Sequence, residues 1–255
     1  MTHIHADDGR ILTAPKELSP LLKGAFPAFI KLLGHIRFFY MADEQWDGEA
    51  SLAFCAGGAE LAVIALYDGV FEARVAGNDF RISDESQLDE VFGTLEKTAP
   101  SGCRRPFEQL TVNMDDPDEN RCGYRCDMCL LNKKHNNDNG FAGSLKFGYL
   151  NWVCYHNCVP GIDVERDDDN RYSCPGCKSK SPEGPAWKND CRYYICATEK
   201  GCAGCAECGE YHTCDVQRDS HYPGQCNLGL TAGEVTSLVI PYCIKERLDI
   251  FLESL

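Results

Sequence analysis

The sequence predicts an α+β fold: a small antiparallel-sheet domain with flanking helices, followed by a cysteine-rich, metal-stabilised, mainly helical and loop domain. Three observations lead there. Apolar or alternating runs in the first half are separated by Gly57-Gly58 and Asp68-Gly69, which suit tight hairpin turns. Helical periodicity lies on either side of those runs. Of the 17 cysteines, only Cys55 and Cys103 precede residue 122, and fifteen fall between Cys122 and Cys243.

Taken in order, residues 1–16 read as a flexible tail. "ELSPLLKGAFPAFIKLLGHI" starts a helix, with Ser19 as N-cap and Pro20 at the first helical position, and Pro27 divides or kinks it. "IRFFYM" (36–41), "SLAFCAG" (51–57), "LAVIALY" (61–67) and "VFEARVA" (70–76) read as strands. "SDESQLDEVFGTLEKTA" (83–99) reads as an amphipathic helix with Leu88, Val91, Phe92 and Leu95 on one face, and "FEQLTVNM" as a final strand. This α+β domain covers 17–114, and the acidic, proline-containing "DDPDEN" (115–120) is the expected linker. The cysteine-rich domain is expected over 121–255. Within it, "FAGSLKFGYLNWV" (141–153) suits a helix. The closing stretch carries a capping box, Thr231 and Glu234, and Pro241 splits the remainder of that stretch into two helices.

Composition narrows the chemistry. The formal net charge of −14 is shared, −9 over residues 1–116 and −5 over 117–255, so the basic footprint of a nucleic-acid binder is missing. No apolar stretch is long enough for a transmembrane helix, and no membrane partner is expected. "MTHIHADDGR" has none of the marks of a secretory leader, so the expected location is cytoplasmic. In a reducing compartment dense cysteine points to metal or catalysis rather than disulfides, and an odd number of thiols fits pairing badly.

The thiols form three clusters. The first is "CGYRCDMC", with Cys122, Cys126 and Cys129. The second is "CPGC", with Cys174 and Cys177, followed by "CRYYIC", with Cys191 and Cys196. The third is "KGCAGCAECGEYHTC", with Cys202, Cys205, Cys208 and Cys214. A CxxC turn lets two thiolates face one ion, and a tetrahedral site needs two such pairs or a pair plus single ligands. The C-x3-C-x2-C spacing of the first cluster is also that of radical S-adenosylmethionine enzymes. Those need a β/α barrel after the motif, and the residues beyond Cys129 show no βα repetition.

From "CGYRCDMC" through "CPGC", "CRYYICATEKG" and "CAECGEYHTC", residues 121–220 resemble a prokaryotic family known as domain of unknown function 3795. The resemblance implies ten family-type cysteines: Cys122, Cys126, Cys129, Cys174, Cys177, Cys191, Cys196, Cys205, Cys208 and Cys214. Cys154, Cys158, Cys202 and Cys226 stand as additions to that pattern. The family brings no established activity. The first half resembles, more faintly, another uncharacterised family, domain of unknown function 3788.

Zinc and an iron–sulfur cluster both accept four thiolates. CxxC elements spread along the chain favour zinc; the close triplets Cys122/Cys126/Cys129 and Cys202/Cys205/Cys208 favour a [4Fe-4S] cluster. The family pattern omits Cys202, so Zn2+ is preferred and the cluster is the alternative. In the third stretch Cys205, Cys208 and Cys214 are the expected ligands, and Cys202 is an optional or separate participant. His156 and His212 read as neighbours of the clusters, Trp152, Tyr155, Tyr193 and Tyr194 as their cover, and "DVERDDDN" as a solvated loop rather than a calcium loop. Cys55 reads as a core residue and Cys103 as a surface thiol. No nucleophile–base pair or catalytic carboxylate pair can be placed. The expected function is a binding or regulatory module with multi-cysteine metal sites and an unknown protein or small-molecule partner.

Overall fold

The computed structural model describes residues 3–5, 8–112, 125, 127–128, 192–215 and 223–255. The chain divides into two compact units: Met1–Arg105 with Tyr222–Thr236, and Pro106–His221 with Ser237–Leu255.

The first unit is an antiparallel meander with helices on one face. Its strands are β3 (Asp43–Trp46), β4 (Ser51–Ala56), β5 (Ala59–Tyr67), β6 (Val70–Val75) and β7 (Asn78–Ile82), paired in that order. Alternate residues of β4 and β6 (Leu52, Phe54 and Ala56; Phe71, Ala73 and Val75) turn inward, as the two-residue period of a strand requires. They pack under α1 (Ser19–Leu22), α2 (Phe26–Phe39) and α3 (Leu88–Thr98); Phe29 of α2 meets Phe71 edge-on with ring centres 5.9 Å apart. The capping box of Asp84 and Gln87 precedes α3, which buries Leu88, Val91 and Leu95.

Several elements differ from the sequence reading. Residues 36–39, expected as a strand, are the last turn of α2, because Ile36 continues the buried helical face of Phe29, Leu32 and Leu33. Residues 107–110, expected as part of a strand, form the short helix α4 (Phe107–Leu110) directly after Pro106. Within residues 1–16, β1 (His3–His5) pairs antiparallel with β2 (Ile11–Thr13), and Leu12 and Thr13 are buried. Cys55 lies on the half-exposed face of β4, out of phase with Phe54, and not in the core. Cys103 is the reverse: it is buried in the core cluster, and burial pushes its thiol pKa up despite the neighbouring Arg104.

The segment after Tyr222 is bound to the sheet's β3 edge and to α2. Arg37 and Glu44 are almost fully buried and form a bidentate pair at 2.6 and 2.8 Å. Arg37 also donates to the carbonyls of Pro223 and Cys226, each at 2.8 Å, and to that of Asn227. Glu44 accepts from the amides of Gly229 and Leu230 at 2.9 and 3.2 Å. Cys226 is buried in this unit. The expected capping box forms at α6 (Ala232–Glu234), and Glu234 also pairs with Arg10 at 2.8 and 3.0 Å.

Along the chain, a 310 turn at Ile240–Tyr242 comes between α6 with its continuation and α7 (Ile244–Glu253), where Pro241 was expected to divide the helix. The helix expected over 141–153 and the linker at 115–120 lie outside the described residues. Among the described residues no helix is long and apolar enough to cross a membrane.

Candidate metal centre

The described part of the cysteine-rich region is built on α5 (Arg192–Glu199) and the turns that come after it. Tyr193, Cys196 and Ala197 share one face of α5, at i, i+3 and i+4. The helix ends in a Schellman motif. Gly201, at φ 68°, donates to Thr198, and the Cys202 amide donates 3.0 Å back to the Ala197 carbonyl. The sequence phrase "CATEKG" therefore has a physical reading: a helix turn carrying Cys196, then the glycine that folds the chain back and returns Cys202 to the Cys196 face.

Beyond it the chain advances in three-residue steps. A 310 turn spans Cys205–Glu207 and another Tyr211–Thr213. The Cys208 amide donates to Cys205, that of Tyr211 to Cys208, and that of Cys214 to Tyr211, at 3.1–3.2 Å. Three-residue periodicity stacks positions i and i+3 on one side of such turns. Positions 202, 205, 208, 211 and 214 carry four cysteines and one tyrosine.

These side chains meet at one pocket. It is bordered by Cys196, Cys202, Cys205, Cys208 and Cys214, with Tyr193, Tyr211 and Lys200 among the other lining residues. Its void is about 20 Å³, room for one water-sized body and far below the several hundred Å³ of an organic ligand site. All five thiols are partly exposed.

Surrounding interactions hold the turns in place. The Lys200 ammonium pairs with Glu210 at 2.5 Å, and its pKa is raised by that hydrogen bond first, with smaller contributions from Cys208 and Cys196. Tyr211 is buried, and its hydroxyl donates to the Asp249 carboxylate of α7 at 2.7 Å; burial and that bond push its pKa up. Tyr193, Tyr211, Val112, Ile244 and Leu248 make a small apolar core against which Cys205 packs. Among the described residues a carboxylate oxygen of Glu246 in α7 is buried without a hydrogen-bond partner, and burial pushes its pKa up to about 7.

In the first cluster the described residues are Arg125, Asp127 and Met128. Arg125 is buried and holds Asp127 in a bidentate pair at 2.7 and 2.5 Å. It also donates to the Glu108 carbonyl, and its own amide donates to that of Pro241 at 3.1 Å. Sequence reading passed over Arg125 because its partners other than Asp127 come from distant positions. The pair's i, i+2 spacing inside "CGYRCDMC" was the only local signal.

Of the expected ligands, Cys196, Cys205, Cys208 and Cys214 come together at the pocket, and Cys202 joins them. Cys122, Cys126, Cys129, Cys174, Cys177 and Cys191 lie outside the described residues. The donors suit a thiophilic ion in kind and number. Their sulfurs border the space without closing on it: among the described residues no three His, Cys, Asp or Glu side chains gather tightly enough to hold a metal.

One comparison covers this same stretch. Residues 119–219 match the model of a family described as proteins of unknown function, DUF3795. The match spans every family-type cysteine, from Cys122 to Cys214. No curated protein and no solved structure matches the chain.

Proposed function

We propose that this protein is a cytosolic metal-binding module whose multi-cysteine sites hold structural zinc, and that it acts by binding or regulation rather than by chemistry of its own. The observation that carries the proposal is the pocket: five thiols border a void of about 20 Å³, sized for one ion and not for an organic ligand. A structural zinc bound by thiolates contributes folding energy outright, which suits a cysteine-rich region with few continuous apolar runs. Cys205, Cys208 and Cys214 would hold one ion together with a fourth thiol bordering the same pocket, and family-type cysteines elsewhere would serve others.

One observation favours a second reading. Cys202, Cys205 and Cys208 all border the pocket at three-residue spacing, the C-x2-C-x2-C pattern of ferredoxin-type clusters. Under that reading the centre is a [4Fe-4S] cluster and the protein serves electron transfer or a redox enzyme.

Anaerobic purification of the full chain, with metal and sulfide analysis and an absorption spectrum, separates the two. The zinc reading expects a colourless, redox-silent protein with stoichiometric zinc. Broad absorption near ~400 nm that bleaches on reduction, with iron and sulfide, replaces zinc by the cluster. A chain that binds neither metal overturns both readings.

A further inference from the structure

We infer that Cys202 is a ligand of the same centre as Cys205, Cys208 and Cys214, so that the segment from Cys196 to Cys214 holds its ion without a thiol from the Cys122–Cys129 cluster. The inference rests on the proposed metal binding and goes beyond it in assigning the grouping of the ligands.

Backbone geometry is the first argument. The Schellman hydrogen bonds at Thr198 and Ala197 fix where Cys202 emerges, and the 310 turns place Cys205, Cys208, Tyr211 and Cys214 at successive three-residue steps. The backbone hydrogen bonds of both arrangements are local, while Tyr211–Asp249 and the packing of Cys205 near Ile244 and Leu248 anchor the turns. The pocket is the second argument, since Cys202 borders it together with Cys196, Cys205, Cys208 and Cys214. Arithmetic is the third. A tetrahedral zinc takes four ligands, and this one segment already offers five thiols. A distant cysteine is not needed to complete the shell.

Closing a shell from this arrangement requires the sulfurs to move inward, since among the described residues no three donors gather tightly enough to hold a metal. A cysteine has a single χ1 with three staggered wells, so its sulfur moves between them while the turns stay fixed. Lys200 lines the same pocket, and its ammonium is held by Glu210.

The test uses the full chain loaded with zinc. Metal equivalents are measured after desalting for the wild type, Cys202→Ser, Cys208→Ser, the double variant and Cys126→Ser. Iodoacetamide labelling read by mass spectrometry reports each thiol separately. Cys202→Ser and Cys208→Ser should each lose one equivalent, and the double variant should lose that same equivalent and no further one from a second site. In the wild type Cys202 should resist labelling until a chelator is added, a readout that needs no variant to fold. Cys126→Ser should leave Cys202, Cys205 and Cys208 protected. Full zinc in Cys202→Ser, or labelling of Cys202 at the same rate with and without chelator, overturns the inference while leaving the metal reading standing. Loss of Cys202 protection in Cys126→Ser overturns the self-contained grouping. A wild-type chain that takes up neither zinc nor iron overturns the metal reading, and this inference with it.

Discussion

Replacing Arg37 with Met tests whether the segment after Tyr222 is clamped to the first unit by one buried ion pair. The guanidinium sits at 1% side-chain exposure and Glu44 at 0%, so neither charge has water to fall back on. Removing one partner of a buried pair costs about 3–5 kcal/mol, because the other charge stays buried and uncompensated. The carbonyls of Pro223, Cys226 and Asn227 lose their donor as well. Against a whole-domain stability of roughly 5–15 kcal/mol, this is a large fraction. With a urea slope of about 1–3 kcal/mol/M, the midpoint should fall by roughly 2 M.

The double variant Arg37→Met/Glu44→Met makes the reasoning refutable. If the pair only neutralises its own charges, two apolar residues of similar volume should restore most of the stability. The structure expects otherwise, since the Gly229 and Leu230 amides lose the Glu44 acceptor and three carbonyls lose the Arg37 donor, and a buried unsatisfied group costs about 1–3 kcal/mol. The double variant should stay at least ~2 kcal/mol below wild type. Urea unfolding followed by circular dichroism supplies the energies, and hydrogen exchange shows whether residues 223–230 open first. A single variant within ~1 kcal/mol of wild type, or a double variant indistinguishable from it, refutes the clamp.

Three further outcomes are expected. His35 stacks on Phe92 at 4.0 Å, and burial lowers its pKa to about 4 from an ordinary 6.5. Between those values the unfolded chain binds the extra proton, so stability falls as pH drops from 6.5 towards 4, by up to about 3 kcal/mol, and denaturation of His35→Gln should show a shallower acid limb. Gly229→Ala places a Cβ 2.5 Å from the Ile11 carbonyl oxygen at a φ of 87°, and thermal unfolding should show a loss of about 2 kcal/mol or more. Tyr211→Phe removes the hydroxyl that donates to Asp249, and hydrogen exchange over α5 and α7 should report a loss of about 1–2 kcal/mol, with no change in β4 to β6.

What the sequence disclosed depended on how local the determinants were. Gly57-Gly58, Asp68-Gly69 and the alternation of Leu52, Phe54 and Ala56 carry three strands openly. β7 was missed because "NDFRI" is mostly polar and its turn places Ala76 at φ 50°, a conformation an alanine rarely announces. β3 was missed because Glu44 reads as an exposed acid, and only Arg37 and the residues near 230 explain why it points inward. At the thiol site the spacing of Cys205, Cys208 and Cys214 was legible, since a CxxC turn is set within four residues. The placement of Cys202 was not, because it depends on how α5 ends. Arg125 was invisible for the same reason as Glu44: Glu108, Thr111 and Pro241, distant in sequence, supply much of its surroundings.

The order of the chain gives the clamp a role beyond its own charges. Backbone leaves the first unit at Arg105 and returns to it at Tyr222. Closing a flexible loop of that length costs roughly 4 kcal/mol in chain entropy, about what the Arg37–Glu44 network is expected to contribute. The closure cost is not fixed, however. When Pro106–His221 and Ser237–Leu255 fold together as the second unit, the connecting chain loses freedom at that step, and less is left to remove when residues 223–230 dock. Whatever stabilises the second unit, a bound metal included, therefore also favours docking in the first. Connectivity alone supplies this coupling, and its ceiling is the entropy of the loop.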